Sequence, residues 1–151
     1  MRDDGLWVQG ALLRLGLARV YSFADNQTAV ADMLVEERAA RRAGRGIWAL
    51  PFYRIRNLGE LAADIDRFQV VEGRVIAVAA LGRRVYLNFG LDWRTNFTAV
   101  VAAKRRRRLP AAGIELACLA GRAVRLRGWI RSPNGPALTL THPAQTELLA
   151  Y

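Results

Sequence analysis

Residues 83–89 read RRVYLNF, and the strict alternation of this stretch decides the fold class of the second half of the chain. Its apolar and polar side chains fall on opposite faces of an extended strand, because successive residues of a strand point to opposite sides. The apolar set is Val85, Leu87 and Phe89, and the polar set is Arg84, Tyr86 and Asn88. The stretch therefore predicts a strand with one face in a core and the other in solvent.

The same period of two recurs on both sides of this stretch. Residues 68–79 form a long strand candidate, and Gly73 within it indicates a bulge or a bend. Residues 95–102 and 122–131 alternate in the same way, and their predicted inward side chains are Phe97, Ala99, Val101, Val124, Leu126 and Ile130. The Asn-Gly pair within residues 132–136 predicts a hairpin to a last strand at 137–141, because Asn-Gly tolerates positive φ angles.

A helix is predicted between the third and fourth of these strands. Residues 109–119 can form it once past Pro110, or can form two short turns around Gly113. A long bent first strand and a single helix in this position are typical of the five-stranded OB barrel. A two-layer α+β sheet accepts similar patterning, but the position of the helix favours the barrel. We therefore predict an α+β fold: a helix pair followed by a five-stranded OB-like β-barrel with one helix between strands 3 and 4.

The first 50 residues predict the helix pair. Residues 7–15 carry an apolar stripe and end at Gly16, a natural helix stop. Residues 28–43 predict a second helix, in which Glu37 and Arg41 have the spacing of an ion pair. Its candidate caps are Asp25, Asn26 and Thr28, and its buried stripe is Val30, Met33 and Leu34. The predicted organisation is a helical segment at 1–50, a connector at 51–67 and a basic domain at 68–149.

Composition excludes several classes of protein. Of 151 residues, 52% are hydrophobic and 24% are charged, which excludes a disordered chain. The longest apolar stretch without charge, residues 75–81, is far shorter than the roughly 20 residues of a membrane helix. Acidic residues stand where a secretory signal has a basic start, so we expect a soluble protein, cytoplasmic if the chain is complete. Cys118 and His142 are the only residues of their types; we expect Cys118 to be buried and His142 to do no chemistry.

The net charge is +10, from 23 basic and 13 acidic residues, and 22 of the basic residues are arginine. It is unevenly distributed. Residues 1–67 hold 10 basic and 9 acidic residues (10 − 9 = +1), whereas residues 68–151 hold 13 and 4 (13 − 4 = +9). Such an asymmetry favours a polyanionic partner for the second part of the chain, although a basic domain without such a partner remains the alternative.

Two motifs in the helical part resemble a known family. Residues 4–21 read DGLWVQGALLRLGLARVY, and residues 36–48 read EERAARRAGRGIW. Both resemble, in the same order, the C-terminal helical portion of the thermonucleases, the staphylococcal-nuclease-like family. The resemblance covers about residues 4–50, and Gln9 stands where the family commonly has Asn.

The resemblance implies that a catalytic barrel precedes these helices. In the family that barrel supplies carboxylates for a calcium ion, a glutamate that activates water and two arginines that neutralise the phosphate. Only three residues precede Asp4, and no position of this sequence matches a catalytic residue of the family. We therefore expect no catalysis by this chain alone and no cofactor or metal site. Calcium enters only if a complete barrel is supplied from elsewhere.

The polar face of the predicted barrel has the composition of a single-strand binding site. Arg84, Tyr86 and Asn88 share this face with Asn96 and Thr98, and the intervening loop adds Asp92, Trp93 and Arg94. Arginine pairs with phosphate, aromatic rings stack on bases and amides bond to base edges. The alternative is that Tyr86 and Trp93 cover the helical part of the same chain.

Two further basic stretches are candidates for the same ligand. Arg125, Arg127, Trp129 and Arg131 form a predicted outward stripe on the fourth strand. It is either a phosphate track or a charged edge that resists strand-to-strand aggregation. Residues 104–108 are five consecutive cations, which either contact a polyanion or are simply solvated.

We therefore predict a nucleic-acid-binding, thermonuclease-like protein that lacks the catalytic barrel and binds single strands through its OB-like domain. The first alternative is part of a calcium-dependent nuclease whose barrel lies upstream or on another chain. The second is a protein-interaction module, in which the apolar stripes of the helix pair bind a protein partner or a second copy. No membrane partner is expected, and the patterns do not distinguish DNA from RNA.

Overall fold

The computed structural model of the protein describes residues 5–25, 27–92, 95–102 and 113–150. The chain divides into two units, Met1–Arg54 and Ile55–Tyr151. The described residues form a mixed α+β structure with two four-stranded sheets. Within these ranges, no helix is both long and apolar enough to cross a membrane.

Two α-helices organise the first unit: α1 spans Val8–Arg14 and α2 spans Val30–Arg42. α1 stops just before Gly16, as predicted. α2 begins after Ala29, which has a φ angle of +62° and makes no side-chain capping hydrogen bond. The helix therefore starts later than predicted and without the expected side-chain cap. Of the candidate caps, Asn26 lies outside the described residues.

Two glycines hold the segments that follow α1 and α2 against each other. The backbone amide of Ile47 donates a hydrogen bond to the carbonyl oxygen of Gly16 over 2.8 Å. A Cβ atom on Gly46 would lie 2.2 Å from that oxygen, and a Cβ atom on Gly16 would lie 2.2 Å from the carbonyl oxygen of Arg45. Both glycines also have positive φ angles, +73° at Gly16 and +55° at Gly46. Glycine is therefore required at both positions by space and by conformation.

A buried carboxylate fastens α2 to the segment that follows α1. Glu37 is fully buried; it accepts a hydrogen bond of 2.6 Å from the amide of Val20 and one of 2.9 Å from Arg41. The Glu37–Arg41 pair thus forms at the predicted spacing, and a carboxylate at this depth needs such partners. On the surface, Arg14 donates two hydrogen bonds of 2.8 Å to Glu36, and these lower the pKa of the Glu36 carboxyl.

Two four-stranded sheets form the second unit. The first has the order β1-β2-β6-β8, with strands at Arg56–Asn57, Phe68–Arg74, Ala123–Trp129 and Thr146–Leu148. The second has the order β3-β4-β5-β7, with strands at Ala77–Leu81, Arg84–Asn88, Thr98–Val101 and Ala137–Leu140. β2 is antiparallel to β6, β4 is antiparallel to both β3 and β5, and β5 is parallel to β7.

The predicted long first strand is divided into β2 and β3. Between them, the amide of Val75 bonds to Arg122, next to β6, and the amide of Ile76 bonds to Asn88 of β4, so the chain passes from one sheet to the other. Gly73 stays in register with Val124 and does not form the bend. A Cβ atom at this position would lie 2.8 Å from the side chain of Leu58, which would have to shift to admit it.

The helix predicted at residues 109–119 is only partly described. From residue 113 onward its one helical element is a 3-10 turn at Leu116–Leu119, and the rest, with the cation run at 104–108, lies outside the described residues. Leu116 and Leu119 are buried, whereas Cys118 is exposed. The prediction of a buried Cys118 is wrong, because a turn that buries positions i and i+3 leaves the two between them outside.

Both sheets contribute to one apolar core. All nine side chains predicted to face inward from residues 83–89, 95–102 and 122–131 are buried. A polar cluster lies among the buried groups: Asp64 accepts hydrogen bonds from Arg56 at 2.7 Å and from Gln69 at 2.8 Å. Burial opposes ionisation of Asp64, but the bonds from Arg56 and Gln69 outweigh it and hold the pKa of this carboxyl below its ordinary value of 3.8.

Candidate nucleic-acid interface

The outer face of the β3-β4-β5-β7 sheet carries Tyr86 on a floor of small side chains. Tyr86 lies opposite Ala79 of β3 and Val100 of β5. One step along β4, Asn88 lies opposite Ala77 and Thr98. Directly opposed side chains of a sheet share a face. The half-buried Tyr86 ring is therefore flanked by the shorter side chains of Ala79 and Val100.

This face forms one side of a groove of about 420 Å³. The other side is the loop between β6 and β7, which brings two proline rings and the Asn-Gly pair over the sheet. The lining residues are Ala79, Leu81, Tyr86, Asn88, Thr98, Val100, Pro133, Asn134, Gly135, Pro136 and Ala137. The groove is therefore mainly apolar, with a few polar groups, which is the usual composition of a site for a small organic ligand.

Two polar side chains stand side by side in the groove. The hydroxyl of Thr98 donates a long hydrogen bond of 3.5 Å to Oδ1 of Asn88. The backbone amide of Thr98 donates to the carbonyl oxygen of Pro136 over 3.1 Å, which ties β5 to the loop that lines the groove. The polar groups and the loop are thus positioned by the same strand.

A positive charge stands at one end of this face. Arg84 is exposed and lies opposite Leu81, a lining residue of the groove. Arg83 precedes it in the turn between β3 and β4, where Gly82 has a φ angle of +58°. In the part of the chain that the structure describes, no ion pair neutralises Arg84. The face therefore combines an aromatic ring, an amide and an available guanidinium group.

The other predicted residues of the β4–β5 region are not among the groove lining. Asn96 is exposed and packs over Gly90, where a Cβ atom would lie 2.3 Å from the Asn96 amide group. Trp93 and Arg94 lie outside the described residues. The structure therefore brings together Tyr86, Asn88 and Thr98, with Arg84 at the end of the same row.

The predicted arginine stripe lies on the other sheet, and part of the prediction is wrong. Arg127 is only 2% exposed, and its guanidinium lies 2.8 Å from Glu147. Arg125 is half-buried between Glu72 at 2.9 Å and Glu147 at 3.3 Å. Both side chains are bound to carboxylates of neighbouring strands, so they do not form an exposed phosphate track.

The rest of that stripe is accessible. Trp129 is 43% exposed and lies edge-on to Phe68, with 6.3 Å between the ring centroids. The guanidinium of Arg131 lies 5.4 Å from the centroid of the Trp129 ring and forms an ion pair with Asp66. At the end of β6, the Trp129 ring and the Arg131 guanidinium are therefore in contact with each other.

Sequence reasoning missed the loop side of the groove and the small residues of its floor. The sequence predicts only a turn at Pro133 and Pro136, because nothing local in it indicates which surface the loop after β6 covers. The signal lies in the parallel pairing of β5 with β7, which brings Ala137 opposite Thr98. Metal ligation has no candidate in the described ranges, since no group of three or more His, Cys, Asp or Glu side chains is suitably placed there.

Residues 3–50 match the model of the family described as staphylococcal nuclease homologue. This match agrees with the resemblance carried by the two helical motifs and covers most of the first unit of the chain. No match was found among curated proteins.

Several solved structures are similar to the chain at low identity. An aspartyl-tRNA synthetase from Entamoeba histolytica has 13% identity and a TM-score of 0.46, over 68% of this chain and 22% of that one. For asparaginyl-tRNA synthetase from Pyrococcus horikoshii the values are 18%, 0.44, 62% and 22%. For the S. pombe Stn1-ten1 complex they are 15%, 0.41, 56% and 59%. The chain thus spans about a fifth of the length of the two synthetases.

Proposed function

We propose that the second unit binds single-stranded nucleic acid across the outer face of the β3-β4-β5-β7 sheet. The observation that carries this proposal is the Tyr86 ring, which stands in a groove between small residues with Arg84 at the end of the same row. A base stacks on Tyr86 while its phosphate is neutralised by Arg84. Stacking contributes about 1–3 kcal/mol per base, and phosphate pairing adds a salt-dependent term.

We further propose that the second unit is a five-stranded barrel of the OB type. In this assignment β2 and β3 together are the bent first strand, and β4, β5, β6 and β7 are the other four. The antiparallel β2–β6 pairing and the parallel β5–β7 pairing support it. The bridge between Arg131 and Ala137, which joins the end of β6 to the start of β7, supports it as well.

The proposal assigns separate roles to the three predicted regions of the chain. Residues 1–50 are the thermonuclease-like helical segment, 51–67 the connector and 68–149 the binding domain; residues 55–67 of this connector belong to the second unit, to which they contribute β1. The net charge of +9 over residues 68–151 supports assigning the polyanion to the last region. Further contacts with the bound nucleic-acid strand are proposed for Asn96, Trp93, Arg94, Trp129 and Arg131.

The experiment is a fluorescence anisotropy titration of the whole chain with labelled single strands at two salt concentrations. Tyr86→Ala is expected to weaken binding at both concentrations by a similar factor, because stacking depends little on salt. Arg84→Ala is expected to weaken binding mainly at low salt, because it removes a phosphate contact. The control is Arg122→Ala, which removes an equal charge from an exposed position of the same unit outside the groove lining.

Three outcomes would contradict the proposal. The first is no binding at low salt, and the second is binding that does not change with salt. The third is an equal loss in Arg84→Ala and in Arg122→Ala, which would indicate attraction by net charge rather than by the groove. Thermal unfolding of each variant shows whether the fold is retained.

A second candidate function is favoured by the surface of the first unit. Its described residues expose large apolar side chains, among them Leu12, Leu15, Leu17, Tyr21 and Phe23. Contiguous apolar surface is typical of a protein interface. A concentration-dependent increase of mass in light scattering would support self-association through this unit, and a constant monomer mass would contradict it.

A third candidate follows from the family match of residues 3–50. The chain is then part of a calcium-dependent nuclease whose catalytic barrel lies on another segment or chain. A barrel encoded upstream of Met1 and in frame with this chain would favour this function over binding alone, and so would calcium-dependent cleavage that appears only when a separate barrel chain is added.

A further inference from the structure

The groove is connected to a second exposed patch by one row of directly paired residues. Asn88 of β4 is paired with Thr98 of β5, and Thr98 is paired with Ala137 of β7. Ala137 is joined in turn to Arg131, just after β6, by two backbone hydrogen bonds of 2.7 Å. The first three of these residues line the groove, and paired residues share a face. Arg131 therefore stands on the same outer surface, one strand beyond the groove.

This second patch consists of Trp129 and Arg131, and we call it the β6 patch. Ile130 between them is fully buried, so both neighbours point away from the core. The Trp129 ring is 43% exposed, and the Arg131 side chain is 58% exposed. The β6 patch therefore offers an aromatic ring and a guanidinium group, the same two groups that Tyr86 and Arg84 supply on the groove face.

Two contacts hold the Arg131 side chain in the free chain, and both are weak. Arg131 forms an ion pair with Asp66, whose side chain is 72% exposed, and its guanidinium lies 5.4 Å from the centroid of the Trp129 ring. Exposed ion pairs and exposed cation–π contacts each contribute little, so a phosphate can replace Asp66. Arg125 and Arg127 differ in this respect, because they are largely buried together with their carboxylate partners.

We propose that one nucleic-acid strand contacts the groove and the β6 patch together, and that Arg131 exchanges Asp66 for a phosphate of that strand. When Arg131 turns to the phosphate, it uncovers the face of the Trp129 ring, on which a second base stacks. This inference rests on the proposed function, since it extends the ligand of the same groove. It adds a minimum length of the ligand and an acidic side chain that opposes binding.

The separation of the two rings determines the shortest strand that reaches both. Tyr86 lies on β4 and Trp129 on β6, and β5 and β7 lie between these two strands. Three intervals of about 4.8 Å between neighbouring strands give about 14 Å along the surface. At about 3.4 Å for each step of a stacked strand, this distance corresponds to about five nucleotides. A dinucleotide therefore reaches only one ring, whereas longer strands reach both.

The test measures affinity as a function of strand length. Unlabelled oligothymidines of two to eight nucleotides displace a labelled octamer from the whole chain at one low salt concentration, which gives a dissociation constant for each length. Affinity is expected to rise steeply up to about five nucleotides and only slightly beyond. In Trp129→Ala the gain from the dinucleotide to the octamer is expected to be about five- to tenfold smaller, the effect of one stacked base. Trp129→Leu retains an apolar contact with Phe68 and is expected to show the same loss.

A further variant tests the exchange of partners at Arg131. Asp66→Asn removes the competing carboxylate, so the octamer is expected to bind about two- to fivefold more tightly. Asp66 has a φ angle of +62°, which asparagine also adopts, so the backbone is retained. The matched control is Glu115→Gln, which makes the same change in net charge at another exposed position of the unit. In an Arg131→Ala background, Asp66→Asn is expected to add no more than this control.

The outcomes separate this inference from the proposed function. An unchanged length dependence in both Trp129 variants would overturn the second contact, and a loss of binding in Tyr86→Ala would still leave the proposed function standing. Equal gains in Asp66→Asn and Glu115→Gln would overturn the exchange of partners. Absence of octamer binding to the unsubstituted chain would overturn the proposed function as well. Thermal unfolding shows whether each variant retains the fold.

Discussion

Each of the two units is stabilised internally by a different kind of contact. The second unit encloses an apolar core to which both of its sheets contribute. In the first unit the described buried apolar side chains are few, namely Leu13, Val20, Val30, Ala40 and Trp48. Its segments are joined instead by the contact between Gly16 and Gly46 and by the buried Glu37. An apolar core can repack around a changed side chain. Two backbone segments in direct contact cannot move apart to admit an added Cβ atom without losing that contact.

The comparison predicts which substitutions each unit withstands. In the second unit the cost of a substitution should follow the apolar volume removed. In the first unit it should follow the volume added, even when the added group is one methyl. Truncation of a core side chain in the second unit and addition of one methyl group at the glycine contact of the first unit test this difference.

The largest effect is expected from Leu87→Ala in the core of the second unit. Leu87 is fully buried between the sheets, so its truncation should lower the free energy of unfolding by about 3–5 kcal/mol. Urea denaturation, with amide hydrogen exchange followed in the β4 and β5 segments, measures it. The matched control is Leu91→Ala, because Leu91 is 95% exposed and should lose almost nothing. Equal losses in the two variants would contradict the assignment of the core.

The next effect is expected from Gly46→Ala in the first unit. The added Cβ atom would meet the carbonyl oxygen of Gly16 at 2.2 Å, so we expect a loss of about 2–4 kcal/mol, read from faster amide exchange in α1 and α2. Gly44→Ala is the control, because Gly44 has a similar φ angle of +62° but nothing within 4 Å of its added Cβ. It should lose only about 1 kcal/mol, the cost of the left-handed conformation. Similar losses in both variants would show that conformation, not contact, limits this unit.

The smallest effect is expected from the pH dependence of the second unit. The pKa of Asp64 is lower in the folded chain than its ordinary value of 3.8. Its contribution to stability is therefore complete above that value and is lost as the pH falls through the lower folded pKa. Urea midpoints measured from neutral to acidic pH should decrease in this window. In Asp64→Asn the decrease should be smaller, and an unchanged profile would rule out this carboxyl as its source.

The strands were predictable from the sequence because their information is local. Alternation alone assigned Val85, Leu87 and Phe89 to the core, and the same alternation placed Tyr86 and Asn88 together on the outer face. Alternation cannot indicate which polar side chains of a face form ion pairs with side chains of neighbouring strands. Arg127 was expected to be exposed, but its partner Glu147 lies on β8, a short strand that no pattern predicted.

The candidate site was predictable only in part for a similar reason. Tyr86 and Asn88 both lie on β4. The loop that faces them follows β6, which belongs to the other sheet. Its position depends on the register of Ala137 against Thr98, which is a property of the assembled sheet.

The parallel pairing of β5 with β7 also has a kinetic consequence. Parallel neighbours cannot be joined by a tight turn, and here the whole of β6 intervenes between them. Contacts between distant parts of a chain form slowly, because the loop must be closed before they contribute. The groove around Tyr86 is therefore among the last features to form, so its completion during refolding should lag behind the appearance of the β3–β4 hairpin. A nascent or partly denatured chain would contain the β3–β4 hairpin before the loop between β6 and β7 has closed the groove beside it.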